Sequence, residues 1–534
     1  MDQQISSGAL NSGVCVMVAF SSNGTFRSGT AINRWDESIT ANLAGMRSRG
    51  NNLPTLLDDG THLLSGDGQN EAMIYDLSLG GQGNSFDGSF QRFANTFTEI
   101  NLAGGNDLLD LTVNPSRGVP NYTQSVTAIG DSGNDTLWTG YGNDTVYGDT
   151  VNSALISIDL FRSGFDDMIH GGDGNDEIYG DFGSLALANV SIGAFALGSD
   201  TLHGGNDNDV IYGDYDNSSF VSVSVSALSF GDDLIQGDAG NDILYGDIRV
   251  LGAISISANA LSFGSDTIYG GDGDDTIYGD PGASGVGLGL SLNILSFVAD
   301  ELHGGAGADT LVGDSAGNLP SALAGGDDAL YGDGGADVIV GDYTGDLGTL
   351  ITTLNFGDDM IEGGDGADIL VGDYRSTLGL TAANLLSFGD DEISGGAGND
   401  TIYGDTSNSA ITGLGAGSDT ITGGAGNDVL WGDYPVALNL LGLAGGSDTF
   451  VFAPGSGADT IADFHKHALL NLQPDTIDVS AYGITGMNGL SITYSNGDAT
   501  IDLGGGDTIL VQGPDVLSGG ALGNPLTASD FIFA

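Results

Sequence analysis

Gly270 to Asp280 reads GGDGDDTIYGD. Glycines at its first, second and fourth positions supply a turn that L side chains rarely enter. An aspartate at the sixth, Asp275, closes the turn, and Ile277 stands as the apolar centre of a short strand. The nonapeptide Gly-Gly-x-Gly-x-Asp-x-(Ile/Leu)-x recurs from Gly171, Gly237, Gly363, Gly395 and Gly423, with weaker copies from Gly130, Gly204, Gly304 and Gly332. Self-similarity at this period marks a solenoid, which grows along one axis, so 534 residues need not mean several globular domains.

The sixth-position aspartates are Asp176, Asp209, Asp242, Asp275, Asp309, Asp337, Asp368, Asp400 and Asp428, spaced by 28 to 34 residues. Nine residues before each stands another: Asp167, Asp200, Asp233, Asp266, Asp300, Asp328, Asp359, Asp391 and Asp419. Asp135 and Asp144 hold the same offset in a weaker copy. Five residues after each sixth-position aspartate comes a Gly-Asp corner, at Asp181, Asp214, Asp247, Asp280, Asp314, Asp342, Asp373, Asp405 and Asp433. Drift by chance does not hold nine units to two fixed offsets. Each unit is therefore two nonapeptide-like steps, a corner and an insert. Val221 to Ser226 and Ile254 to Ser257 alternate apolar residues with serine, which predicts one longer strand added to each coil. Ile178, Ile211, Leu244 and Ile277 are expected to stack as the inner ladder. The fold expected is an all-β, right-handed parallel β-solenoid with glycine-rich turns and coils widened by the insert. It divides into residues 1–100, a cap or assembly region containing the strand-like Val14 to Phe20; 101–446, the solenoid; and 447–534, a capping module.

Charge says what such a fold needs. The chain carries 72 acidic against 10 basic residues, a formal charge of −62. It repels itself on compaction and is not expected to bind nucleic acid or anionic membranes. A hydrophobic content of 40% with 93 glycines argues against a disordered acidic polymer. Cys15 is the only cysteine, so no intramolecular disulfide staples the fold. The amino terminus lacks the basic start of a secretory leader, and no apolar run is long enough to span a membrane.

Stacked coils lie about 4.8 Å apart, which sets in-register aspartates in columns. Neighbours at about 5 Å repel by roughly 0.8 kcal/mol per pair even in water. Calcium suits such columns, because it takes six to eight hard oxygens in flexible geometry and mixes carboxylates with backbone carbonyls. Magnesium demands a small octahedron, and zinc wants a His or Cys set that six histidines at these spacings do not provide. For a single aspartate the competing reading is a turn residue capping its own backbone.

On these residues the chain resembles the calcium-binding parallel β-roll of repeats-in-toxin proteins, which Gram-negative bacteria secrete. The resemblance covers roughly Gly104 to Ala534. It implies that glycine-rich turns of successive coils sandwich calcium, with the sixth-position aspartates as ligands. The insert is this chain's departure, and it leaves open whether both registers, and the Gly-Asp corners, complete sites. The segments Ser447 to Phe452, Asp459 to Ile461, Asp475 to Asp478 and Asp530 to Ala534 resemble the end of serralysin-type proteins. That resemblance implies an uncleaved carboxyl-terminal signal for the type I secretion apparatus, and folding outside the cell where calcium is plentiful.

No His-Glu-x-x-His helix motif, nucleophile elbow with a credible triad order or phosphate loop ahead of a helix occurs, and no enzyme is expected. His170, His203 and His303 share one surface position of the repeat, and Asp463, His465 and His467 read as a loop with incidental histidines rather than a metal cluster. The expected function is a secreted calcium-binding structural protein of surface-layer, matrix, filament or adhesin type, extracellular or on the surface of a Gram-negative bacterium. A homo-oligomer or filament and a cell-surface glycan are its conceivable partners. An enzyme or toxin with an unrecognised site, and an ice- or surface-binding solenoid, are the alternatives.

Overall fold

A computed structural model describes residues 97–534 apart from 113–121, 152, 156–164, 189–190, 222, 253–255, 259–260, 282, 286–289, 293–294, 317–322, 345–352, 376–384, 408–415, 434–445, 466–473 and 514–524. Before residue 97 it describes only the strands at 16–20, 26–31, 63–65, 72–75, 85–87 and 90–93. Among the described residues there is no α-helix; nearly all regular structure is parallel β-strand. The chain divides into two compact units, residues 1–150 with 165–178 and residues 151–164 with 179–534.

In the first unit, Leu63–Ser65, Glu99–Asn101, Thr127–Ile129 and Thr145–Tyr147 pair successively in parallel. So do Ala72–Tyr75, Leu108–Asp110, Thr136–Trp138 and Met168–Asp173. The ladders thus take in strands ahead of residue 101. Their central residues, Ile100, Ala128 and Val146 on one side and Met73, Leu109, Leu137 and Ile169 on the other, are fully buried. Val16–Phe20 is a strand, as its composition suggests, and pairs antiparallel with Phe26–Ala31; Val14 lies outside the described residues.

The second unit repeats this plan over many more coils. One ladder runs from Thr201–Asn206 through Leu234–Ala239, Thr267–Asp272, Glu301–Ala306, Ala329–Gly335, Met360–Gly366 and Glu392–Gly398 to Thr420–Thr422, then Thr449–Val451, Thr476–Asp478 and Phe531–Ile532. A second runs from Val210–Tyr212 to Val429–Trp431, Ala458–Ile461 and Asp507–Val511. Each coil gives one apolar residue from each ladder to the interior. Ile211, Leu244 and Ile277 stack in register at full burial, as do Leu202, Ile235 and Ile268 opposite; Ile178, in the first unit, is equally buried. The segments after residue 447 continue both ladders, and Asp498–Gly504 and Ser491–Ser495 fold back antiparallel over the last rung of the second.

The insert differs from the single strand expected. In the widest coils it forms two, Tyr215–Val221 and Val223–Ser229, each stacking in parallel on its counterparts in neighbouring coils. The reason is closure. An insert must leave the Gly-Asp corner and return beneath the next strand-start aspartate, so a run this long has to bend once. Most side chains of the insert strands, including Val221 to Ser226, lie outside the described residues. Where the insert rejoins the coil, Phe230, Phe263 and Phe297 stack with centroids 4.9 and 5.0 Å apart, close to the spacing of hydrogen-bonded strands.

Candidate metal centre

Three columns of aspartate line the coils, all buried. The strand-start column holds Asp135 and Asp167 in the first unit. In the second it holds Asp200, Asp233, Asp266, Asp300, Asp328, Asp359, Asp391 and Asp419. In this column Oδ1 of one aspartate accepts the backbone N–H of its counterpart one coil earlier: Asp200 N–H to Asp233 at 2.6 Å, Asp233 to Asp266 at 2.8 Å, Asp266 to Asp300 at 2.7 Å. The turn column repeats the device, in Asp144 and Asp176 of the first unit and from Asp209 to Asp428 in the second; Asp242 N–H reaches Asp275 Oδ1 at 2.8 Å and Asp275 N–H reaches Asp309 Oδ1 at 2.7 Å. The competing reading, an aspartate capping its own turn, fails here: the oxygen that is satisfied is satisfied by the preceding coil.

Oδ2 in both columns has no hydrogen-bond partner in the residues just described from Asp233 onward. These orphaned oxygens face glycine. An ideal Cβ on Gly246, in a Gly-Asp corner, would lie 2.0 Å from Asp266 Oδ2 and 2.0 Å from the Gly279 carbonyl oxygen. On the opposite edge a Cβ on Gly270 would lie 2.4 Å from Asp275 Oδ2 and 2.5 Å from the Gly304 carbonyl oxygen. Glycine is required at both positions because carboxylate and carbonyl oxygens converge where a side chain would stand. Among the described residues no three His, Cys, Asp or Glu side chains are grouped to hold an ion by themselves. The oxygen donors are one or two carboxylates per coil with backbone carbonyls beside them, a set of hard, charged and neutral oxygens that fits calcium and not a nitrogen- or sulfur-preferring metal.

The electrostatics agree. Burial, partly offset by the N–H from Asp209, raises the Asp242 carboxyl to about 7, and burial raises Asp275 to about 6 and Asp309 to about 7. At the strand-start edge burial pushes Asp233, Asp266, Asp300 and Asp328 well above the carboxylate range, with repulsion from neighbouring aspartates adding to it. Such shifts mean that the fold disfavours the ionised form unless a cation is supplied.

Several residues in these columns escape the offset rule. Asp107 donates its N–H to Asp135 Oδ1 at 2.7 Å and so begins the strand-start column of the first unit. Asp448 and Asp475 extend that column in the second unit, and Asp459 extends the turn column. The signal was present in Gly446-Ser447-Asp448-Thr449-Phe450, which matches Gly417-Ser418-Asp419-Thr420-Ile421. Asp459, however, lies eleven residues after Asp448 instead of nine, because the turn Ala453 to Gly457 is longer. The corner aspartates are as buried as the others, and Asp314, Asp342, Asp373, Asp405 and Asp433 each accept an N–H from the glycine two residues before the next strand-start aspartate.

The histidines divide. His303 stacks between Tyr269 and Tyr331 at 4.7 and 4.6 Å on the outer face, as expected of a surface position. His465 is not incidental: its Nδ1 lies 2.9 Å from Asp433 Oδ2, and although burial opposes protonation, Asp433 raises the imidazole. Asp463 accepts the N–H groups of Gly432 and Asp433, so together the two residues close the last corner. His467 lies outside the described residues.

The profile of the RTX calcium-binding nonapeptide repeat (4 copies) matches at residues 127–153, 163–184, 197–217, 229–248, 262–284, 299–318, 324–342, 355–373, 387–409 and 415–433, a span that takes in both columns. No curated protein matches the chain. Among solved structures, the solution structure of the AlgE6R2 subunit from the Azotobacter vinelandii mannuronan C5-epimerase is similar at 26% identity over 33% of this chain and 88% of that one; its TM-score of 0.18 is too low to carry an argument.

Proposed function

We propose, since this chain belongs to the RTX calcium-binding repeat proteins, that it is a secreted structural protein whose fold is switched on by calcium outside the cell. The observation that carries the reading is the set of orphaned Oδ2 atoms in the strand-start and turn columns. A buried carboxylate with one oxygen unmet costs more than a neutral group in the same place, about 1–3 kcal/mol or more each. Repeated along two columns, this exceeds the 5–15 kcal/mol by which domains are typically stable. Calcium, when bound, supplies the missing positive charge. The chain's own part is to present the oxygens: glycine turns bring carbonyls inward, and each Oδ1 is held by the neighbouring coil so that Oδ2 is fixed in direction. The strand-start and turn aspartates named above would hold the ions.

Folding that waits for millimolar calcium suits a chain exported unfolded, and the carboxyl-terminal segments that resemble serralysin-type export signals belong to the same proposal, as do a Gram-negative source and the absence of a catalytic role. No helix among the described residues is long and apolar enough to cross a membrane. The test is a calcium titration of the chelator-stripped chain followed by circular dichroism, with magnesium as control. A cooperative gain of β-signal specific to calcium is expected; a chain fully folded in chelator at neutral pH, or indifferent to the ion, refutes the switch.

A further inference from the structure

The two edges of the coil are not chemically alike. At the turn edge each coil offers one buried carboxylate, such as Asp275 or Asp309. At the other edge it offers two. The corner aspartate of one coil stands against the strand-start aspartate of the next: Asp300 is the first of the carboxylates that repel Asp280, Asp233 the first that repel Asp214, and Asp359 the first that repel Asp342. Asp280 is 0% exposed, and its oxygens meet no N–H group, only the carboxyls of Asp247 and Asp314 in the adjoining corners. Asp300 keeps Oδ1 for the Asp266 N–H at 2.7 Å, which leaves its Oδ2 unmet. That oxygen points into the same corner, where a Cβ on Gly279 would lie 2.1 Å from it and 2.3 Å from the Gly313 carbonyl oxygen. Two buried carboxylates and a carbonyl therefore meet at one place in the Asp280 corner; at other corners, such as Asp314 and Asp342, the corner carboxylate also accepts one glycine N–H.

We propose that the Gly-Asp corner aspartates are calcium ligands, and that the corner edge binds one divalent ion per coil in a charge-balanced, dehydrated site distinct from the turn edge. The inference rests on the calcium reading given above. Two carboxylates match the charge of one calcium, which is the condition for holding an ion away from water. One carboxylate per coil at the turn edge leaves an ion under-neutralised and dependent on water or on sharing between coils. Ions at the corner edge should leave slowly, and ions at the turn edge quickly.

The competing account of the corner is a chain of carboxyl groups sharing protons with no ion, and pH 8 in the experiment is chosen to oppose it. The calcium-loaded full chain is mixed with excess chelator at pH 8, and calcium remaining per chain is measured against time by elemental analysis after rapid desalting. Wild type should release calcium in two phases. Asp280→Asn with Asp314→Asn should remove about two ions from the slow phase and none from the fast; Asp275→Asn with Asp309→Asn should do the reverse. If the double corner variant does not fold, Asp280→Asn alone is read in the same way, with about one slow ion lost. A single release phase in wild type, or a slow phase that survives the corner substitutions, overturns the inference while leaving calcium-dependent folding intact. A wild-type chain that holds no calcium overturns both.

Discussion

Asp275→Asn should change the stability of this protein in opposite directions with and without calcium. Asp275 Oδ1 accepts the Asp242 N–H at 2.8 Å, and an asparagine Oδ1 can keep that bond. Oδ2 has no partner and the residue is 1% exposed. The amide nitrogen that replaces it shares the space over Gly270 with the Gly304 carbonyl, an ideal Cβ there lying 2.4 Å from Asp275 Oδ2 and 2.5 Å from that carbonyl oxygen. In chelator the substitution therefore exchanges an unmet charge for a donor with an acceptor at hand. The sign follows from the carboxyl's rise to about 6 in the fold: its favourable neutral form is fully present below the unfolded value near 4 and is lost as pH rises through about 6. Asparagine never ionises, so at pH 7 it should recover about 1–3 kcal/mol of ion-free stability. In calcium it removes a charged oxygen from the ion, a loss of roughly 2–4 kcal/mol at the effective dielectric of a protein site. The assay is circular dichroism in two titrations. In chelator, raising the pH from 4, the variant should keep its β-signal to a higher pH than wild type. At pH 7.5 its calcium midpoint should lie above that of wild type, by about a factor of ten per 1.4 kcal/mol lost divided, on the logarithmic scale, among the ions taken up together on folding. A variant destabilised equally in chelator and in calcium would mean that Asp275 is a structural hydrogen-bonding residue, and the argument from unmet oxygens would fail.

The ion-free wild-type chain should itself gain β-structure on acidification, since folded-state carboxyls raised to about 7 at Asp242, Asp247, Asp309 and Asp314 favour the fold below pH 4 and oppose it as pH passes 6 to 7; chelator-stripped protein that stays unstructured at pH 4 counts against this. Gly246→Ala, which sets a methyl 2.0 Å from Asp266 Oδ2, should cost about 1–3 kcal/mol in calcium and raise the calcium midpoint, whereas Gly486→Ala, with nothing within 4 Å, should do neither. Ile277→Ala in the fully buried ladder should lower stability by about 2–5 kcal/mol with the calcium stoichiometry unchanged, and Ile277→Leu should cost under about 1.5 kcal/mol, because leucine fills that rung in neighbouring coils at Leu244 and Leu311. His465→Gln leaves Asp433 without its 2.9 Å partner and should speed hydrogen exchange in Thr449–Val451 and Ala458–Ile461 while sparing coils near Asp275.

Sequence alone determined the repeat, and with it the parallel stack, the inner ladder and the two main aspartate columns. A period held to fixed offsets can be satisfied only by a structure with the same period, so Ile211, Leu244 and Ile277 had to superpose and Asp209, Asp242 and Asp275 had to form a column. Where the offset changed, as at Asp459 after a longer turn, the rule lost a residue that the stack kept. Only the tertiary structure decided the rest. That Oδ1 is occupied by the preceding coil and Oδ2 is not depends on a contact between residues some thirty apart, which no local pattern encodes. The insert's division into two strands was settled by the need to close the coil, a condition on the whole turn and not on its alternating residues. The pairing of a corner aspartate with the strand-start aspartate of the following coil was equally invisible, because an insert of variable length separates them in sequence while the strand spacing alone fixes their distance in space.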